Sequence, residues 1–134
     1  MDGYGKRILV VDDDEQIRLL LCLVLAQDGY SVHTAAGGEE AFGEMMKRRF
    51  DVILTDVEMP RTTGFDILAY CRTATPGLPV VLMSGVTGDL RDPVLEQGAS
   101  GYLEKPFDTD EVLRALRMAC WKTAGERVGV ETQW

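Results

Sequence analysis

The chain is poor in cysteine and histidine, its basic residues are the minority, and it has no long apolar run. The three cysteines, Cys22, Cys71 and Cys120, are odd in number and widely spaced. That excludes a disulfide framework and matches no metal-binding spacing. All three fall in apolar helical patterns and read as small core residues, a usage that fits a reducing compartment. No stretch approaches the roughly 18 apolar residues of a membrane span. The opening residues MDGYGKR lack the apolar core of a signal peptide, so the cytoplasm is the expected location. Fourteen Lys and Arg stand against 22 Asp and Glu, for a net charge of −8. Nucleic acid and membrane are therefore not expected as direct partners, whereas a cation or a basic protein surface is. No self-similar repeat and no low-complexity segment is present.

What is present is an alternation. Apolar runs of strand length fall at residues 8–11, 31–35, 52–55, 80–83 and 101–103. Helical spacing fills the gaps between them. Ile17, Leu20, Leu21, Val24 and Leu25 share one helical face, and Asp28-Gly29 ends that helix. A second helix is expected over 38–49, with Ala41, Phe42 and Met45 inward. Gly64, Ile67, Leu68 and Cys71 mark a third, stopped near Thr75-Pro76-Gly77. A fourth covers 89–97, with Pro93 tolerable near its first turn. A fifth opens at Asp108-Thr109-Asp110-Glu111, which has capping-box spacing, and turns Val112, Leu113, Leu116, Ala119 and Cys120 to one side.

Strands alternating with helices imply an α/β fold, a parallel sheet covered on both faces. The first and third strands are unbroken apolar runs, as central strands should be. The second, SVHTA, alternates and suits an edge, giving the order 2-1-3-4-5. One domain over residues 1–124 is expected. From Lys122 the spacing decays into TAGERVGVETQW, so 125–134 reads as a C-terminal tail or linker stub.

Ligands of such sheets bind at the carboxyl ends of the strands. Strand one ends in Asp12-Asp13, strand three in Asp56, strand four in Ser84-Gly85 and strand five in Glu104-Lys105-Pro106. The edge strand brings only Thr34-Ala35-Ala36-Gly37. Two carboxylates about 4 Å apart repel by roughly 4 kcal/mol at an effective dielectric of about 20, so ILVVDDDE needs an offsetting charge or acids that point apart. Asp14 and Glu15 fit the start of the first helix, where acids complement its positive end. Asp12, Asp13 and Asp56 make a hard-cation site with few protein ligands, which suits Mg²⁺. A carboxylate can also attack phosphorus to give an aspartyl phosphate. A lysine, a hydroxyl and the N–H groups after Asp56, Ser84 and Gly85 are then expected to receive the phosphoryl oxygens.

Taken in order, VVDDDE, ILTDVEMP, Gly64, MSG and GYLEKPF resemble the receiver domain of two-component response regulators over about residues 7–121. That resemblance implies a doubly wound (βα)5 flavodoxin-like domain. It implies Asp56 as phosphoacceptor, and Mg²⁺ held by Asp13 and Asp56 directly, by Asp12 through water and by the backbone carbonyl of Glu58. It further implies Lys105 paired with the phosphoryl group and followed by a cis peptide to Pro106. Ser84 would be the hydroxyl drawn to the phosphoryl group, and Tyr102 the aromatic whose rotamer follows Ser84. The implied phosphodonor is a sensor histidine kinase or phosphotransfer protein. The implied output is a downstream protein or domain, or a homodimer, through the face of the fourth helix, fifth strand and fifth helix. The chain would catalyse only its own phosphorylation and dephosphorylation, and would not be a classical multiple-turnover enzyme.

Each residue also has a plainer reading. Asp56 could be a turn acid, Lys105 a solvated lysine, Ser84 a turn residue and Tyr102 a half-buried strand aromatic. Their convergence on one rim favours the functional reading. His33 lies on the edge strand away from that rim, so neither a ligand nor a phosphodonor role is expected. Met45, Met46 and Met83 read as filler, and Lys47-Arg48-Arg49 as a helix end. Thr62 stands where such domains often carry an apolar residue, which predicts looser packing of that loop. Glu58 and Val86 flank the site and are expected to tune water access to an acyl phosphate. Two other classes stay open: a phosphorylation-independent interaction module on the same fold, and an aspartate-nucleophile phosphatase. The second usually needs an Asp where Glu58 stands.

Overall fold

Ile8, Leu9, Val10 and Val11 are all fully buried, and they form an interior strand of the sheet. The structure is a computed structural model. It describes residues 3, 5–85 and 90–131, with side chains as far as residue 121. The elements are β1 (Arg7–Val11), α1 (Glu15–Gln27), β2 (Ser31–Ala35), α2 (Gly38–Lys47), β3 (Val52–Asp56), α3 (Gly64–Ala74), β4 (Val80–Ser84), α4 (Arg91–Glu96), β5 (Gly101–Glu104) and α5 (Thr109–Glu131). All strand pairs are parallel, and the order is β2-β1-β3-β4-β5. This is the flavodoxin-like (βα)5 arrangement.

The apolar runs follow from covering the sheet on both sides. Ile8, Val10, Val52, Leu54, Val81 and Met83 pack with Leu21 and Leu25 of α1 and with Val112, Leu116 and Ala119 of α5. Leu9, Val11, Ile53, Val80 and Leu82 pack with Ala41 of α2, Ile67, Leu68 and Cys71 of α3, and Val94 of α4. β2 keeps only Ala35 fully buried, as an edge strand should.

Several strands end later than their apolar runs. Asp56, Ser84 and Glu104 are the last residues of β3, β4 and β5. The ladder is a backbone structure, so it continues into polar residues while N–H and C=O groups still find partners. Asp56 is thereby paired with Met83, and Ser84 with Glu104. The chemistry sits on the rigid sheet and not on the loops beyond it.

The helix starts are fixed by side chains. The Asp14 carboxylate accepts from the N–H groups of Gln16 and Ile17 at 2.9 and 3.4 Å and caps α1. Thr63 and Asp66 form a capping box at α3. Asp108 and Glu111 exchange reciprocal bonds at α5. Gly29 takes φ +98° after α1, a conformation glycine tolerates without strain.

Several sequence expectations change. Leu20 is 55% exposed, because it sits about 100° around the helix from Leu21, at the limit of the buried stripe. α2 stops at Lys47, where Arg48 turns extended. α4 is six residues long and starts at Arg91, and Asp89, where it was expected to begin, lies outside the described residues. Of the cysteines only Cys71 is fully buried, while Cys22 and Cys120 are half-buried; all three are free thiols. Thr62 packs directly against Gly38, where a Cβ would come within 2.3 Å of its methyl group, so the loop there is close-packed. Helical backbone also crosses the expected boundary at residue 124. Inward apolar spacing reports packing, and α5 stays helical to Glu131 after that spacing ends. Among the described residues no helix is long and apolar enough to cross a membrane.

Candidate functional site

The acid block at the end of β1 divides by direction. Asp12 is fully buried and Asp13 is exposed. The Asp12 N–H donates to the Ala35 carbonyl at 3.1 Å, which extends the sheet by one residue. Asp56 arrives from β3 and is 4% exposed. Carboxylate oxygens of Asp12, Asp13 and Asp56 lie within 4.8 Å of one another. Asp13 also borders a cleft of about 290 Å³ between the start of α2 and residues 60–62.

The offsetting charge comes from the residue just after β5. Lys105 Nζ is 2.9 Å from Asp12 Oδ2 and 3.2 Å from Asp56 Oδ2. Its backbone N–H donates to the Ser84 carbonyl at 2.8 Å, and its peptide to Pro106 is cis. Burial works against the ammonium. The hydrogen bond to Asp12 and the charges of Asp56 and Asp12 outweigh that and hold its pKa above the ordinary value.

One cation does not neutralise the pair of buried acids. Asp56 is pushed up to about 6, first by burial and then by the charge of Asp12, with Lys105 opposing. Asp12 has both oxygens engaged, Oδ2 by Lys105 and Oδ1 by the Asp14 N–H at 2.9 Å. Asp56 Oδ2 meets Lys105, but Oδ1 is buried without a hydrogen-bond partner. A buried carboxylate oxygen left in that state is costly.

Gly64 explains its place in the pattern. A Cβ there would lie 2.4 Å from the Asp56 carbonyl oxygen and 2.9 Å from Val57 Cα. The α3 start can close on the end of β3 only because residue 64 has no side chain.

The β4 end departs from the sequence reading. The Glu58 carboxylate accepts from the Ser84 hydroxyl at 2.7 Å and from the Gly85 N–H at 3.0 Å. The Val57 N–H donates to the Met83 carbonyl at 2.8 Å, within the sheet. So two of the three N–H groups expected to be free are engaged. The third, on Val86, lies outside the described residues, as does the Val86 side chain. Sequence reasoning treated Glu58 as a backbone ligand and a modulator of water, and missed the clasp. The signal was available: β3 and β4 are neighbours, so a residue two past Asp56 comes level with one two past Met83.

Tyr102 is buried in the core between β5 and α4. The Arg91 guanidinium lies 5.6 Å from its ring centroid, and its hydroxyl has no hydrogen-bond partner. The resemblance has this ring turning inward as Ser84 is drawn away; here it is already inward. His33 sits far from these groups by role, with Arg48 Nη1 3.0 Å from its Nδ1 and Phe50 edge-on at 5.6 Å.

Known proteins resemble this chain in sequence and fold. The response regulator receiver domain family matches residues 8–117. The chain belongs to that family. Among curated relatives of this receiver is a probable transcriptional regulatory protein TcrX of Mycobacterium tuberculosis, 33% identical over 123 residues, which cover 91% of this chain and 53% of that protein. Another is the response regulator MprA of Mycolicibacterium vanbaalenii, 37% identical over 123 residues, 87% of this chain and 51% of the relative. The receiver thus spans about half the length of the curated relatives it matches. Among solved structures, the chemotaxis protein CheY4 of Vibrio cholerae is 35% identical, with a TM-score of 0.79 over 86% of this chain and 98% of its own. NtrX from Brucella abortus is 27% identical, with a TM-score of 0.89 over 97% of this receiver and 30% of NtrX.

Receiver domains work with histidine kinases and output domains, and generally bind Mg²⁺ at an acidic pocket. The residues here fit that ion. The unpartnered, buried Asp56 Oδ1 is the oxygen a hard cation would satisfy, and the exposed carboxylate of Asp13 is within reach of it.

Proposed function

We propose that this chain is a phosphorylation-controlled receiver whose phosphoacceptor is Asp56. The observation that carries the reading is the state of that carboxylate, with one oxygen held 3.2 Å from Lys105 and the other buried and unpartnered. An Asp56 oxygen attacks the phosphorus of a phosphohistidine on a sensor kinase or phosphotransfer protein. The P–N bond breaks, the electron pair leaves with the imidazole nitrogen, and an acyl phosphate forms.

Asp13 and Asp56 would hold Mg²⁺ directly, with the Glu58 carbonyl, and Asp12 through water. Asp12 suits the outer role because both of its oxygens are engaged. The ion would supply positive charge against the incoming phosphoryl group. Lys105 meets the same charge from the β5 side, and the sheet holds all these groups in place before the reaction.

The response is a switch. A phosphoryl group on Asp56 takes the Ser84 hydroxyl and Lys105 as partners, and the face of α4, β5 and α5 changes shape. Leu95, Met118 and Trp121 are exposed apolar residues on α4 and α5, which supports a homodimer or a downstream protein or domain as the reader. The chain serves as a stoichiometric switch and not a multiple-turnover enzyme, in the cytoplasm, with residues 1–124 as receiver and 125–134 as a C-terminal tail or linker stub. The test is one phosphoryl group per chain from acetyl phosphate, dependent on Mg²⁺ and lost in Asp56→Asn.

A further inference from the structure

The donors that should receive phosphoryl oxygens at the end of β4 are already taken. Glu58 leaves β3 two residues after Asp56, crosses to the neighbouring strand, and accepts from Ser84 Oγ at 2.7 Å and Gly85 N at 3.0 Å with its two oxygens. One carboxylate with two oxygens on these two donors has the charge sign and the acceptor geometry of part of a phosphoryl group. Tyr102, across β4 from this clasp, is meanwhile inward and 4% exposed.

We infer that Glu58 is an internal stand-in for the phosphoryl group: before phosphorylation it holds Ser84 and Gly85, and a phosphoryl group on Asp56 must displace it to gain both donors. The inference rests on Asp56 being the phosphoacceptor. Glu58 therefore acts as a positioning residue. It keeps Ser84 turned toward the rim in the resting chain, and it competes directly with the ligand. A charged acceptor bound twice is a strong competitor, since hydrogen bonds to ionised groups are the stronger kind.

The test compares the full chain with Glu58→Ala, Glu58→Asp and Glu58→Gln. Glu58 is exposed in a loop, and dispersed amide spectra check that each variant is folded. The first readout is solvent exchange of the Gly85 amide without Mg²⁺. Exchange should be slow in the parent and markedly faster in Glu58→Ala and Glu58→Asp; equal exchange in all chains overturns the inference. The second readout is binding of beryllofluoride with Mg²⁺, a phosphoryl mimic. Glu58→Ala and Glu58→Asp should bind it about tenfold more tightly than the parent. The Asp variant decides the cause, because it keeps the charge but is one methylene too short to span both donors. If Glu58→Asp binds like the parent while Glu58→Ala and Glu58→Gln bind more tightly, charge alone is at work and the clasp is refuted. If no chain, the parent included, takes up beryllofluoride, the phosphoacceptor reading itself fails and takes this inference with it.

Discussion

The Lys105 ammonium lies 3.2 Å from Asp56 Oδ2 and shares the same nitrogen with Asp12 Oδ2 at 2.9 Å. A lysine just after β5 thus compensates carboxylates from β3 and the β1 end. Lys105→Met leaves both acids facing each other. Unfolding in urea without Mg²⁺ should show a loss of about 2 to 3 kcal/mol, below the range for a fully buried pair because Lys105 keeps some solvent contact. Mg²⁺ should return part of that loss. Unchanged stability in Lys105→Met would contradict the bridging role.

Asp56 carries a stability cost that depends on pH. Its pKa rises from 3.8 to about 6 on folding. Between those values the folded chain keeps a proton that the unfolded chain has released. Asp56's contribution is therefore fully present below about pH 4 and is lost as pH rises through 6. Asp56→Asn cannot ionise. In EDTA it should be more stable than the parent by about 2 to 3 kcal/mol above pH 7, and the gap should close toward pH 4. A gap that widens toward acid would reverse the assigned sign.

Adjacent acids should separate cleanly. Asp14 caps α1 through two N–H groups, while Asp13 is an exposed member of the acidic cluster. Asp14→Ala should cost about 1 kcal/mol of stability and leave Mg²⁺ affinity nearly intact. Asp13→Ala should lose most Mg²⁺ affinity and little stability. Calorimetric titration with Mg²⁺ beside urea unfolding reads both. Equal loss of Mg²⁺ binding in the two variants would refute the division.

How much of this was legible in sequence follows from what each signal reports. Runs such as ILVV and VVLM report burial on two faces, so the sheet and its order are legible in the sequence. The rim could also be read, because residue type at a strand end is a local fact. Leu20 could not be placed, since a stripe edge depends on where α1 crosses the sheet. The clasp of Glu58 on Ser84 and Gly85 depends on two strands being neighbours and on one side chain's reach. The inward Tyr102 depends on the room that α4 leaves for it. The sequence of α5 after Trp121 carries no apolar spacing from which its helical backbone could be read.

Gly64 should tolerate no side chain. Gly64→Ala places a methyl group 2.4 Å from the Asp56 carbonyl oxygen, so either α3 or the end of β3 must move. The variant should lose about 1 to 3 kcal/mol by overpacking and phosphorylate more slowly, as Asp56 shifts from Lys105. Parent-like stability and rate in Gly64→Ala would show that the close approach is not required.

The central claim is that Asp56 accepts a phosphoryl group in a reaction that needs Mg²⁺. Intact mass after incubation with acetyl phosphate tests it most directly, in Mg²⁺ and in EDTA, for the parent and Asp56→Asn. The account predicts one phosphoryl group per parent chain in Mg²⁺, none in EDTA and none on Asp56→Asn in either buffer. Full labelling of Asp56→Asn, or labelling of the parent that ignores EDTA, would contradict it.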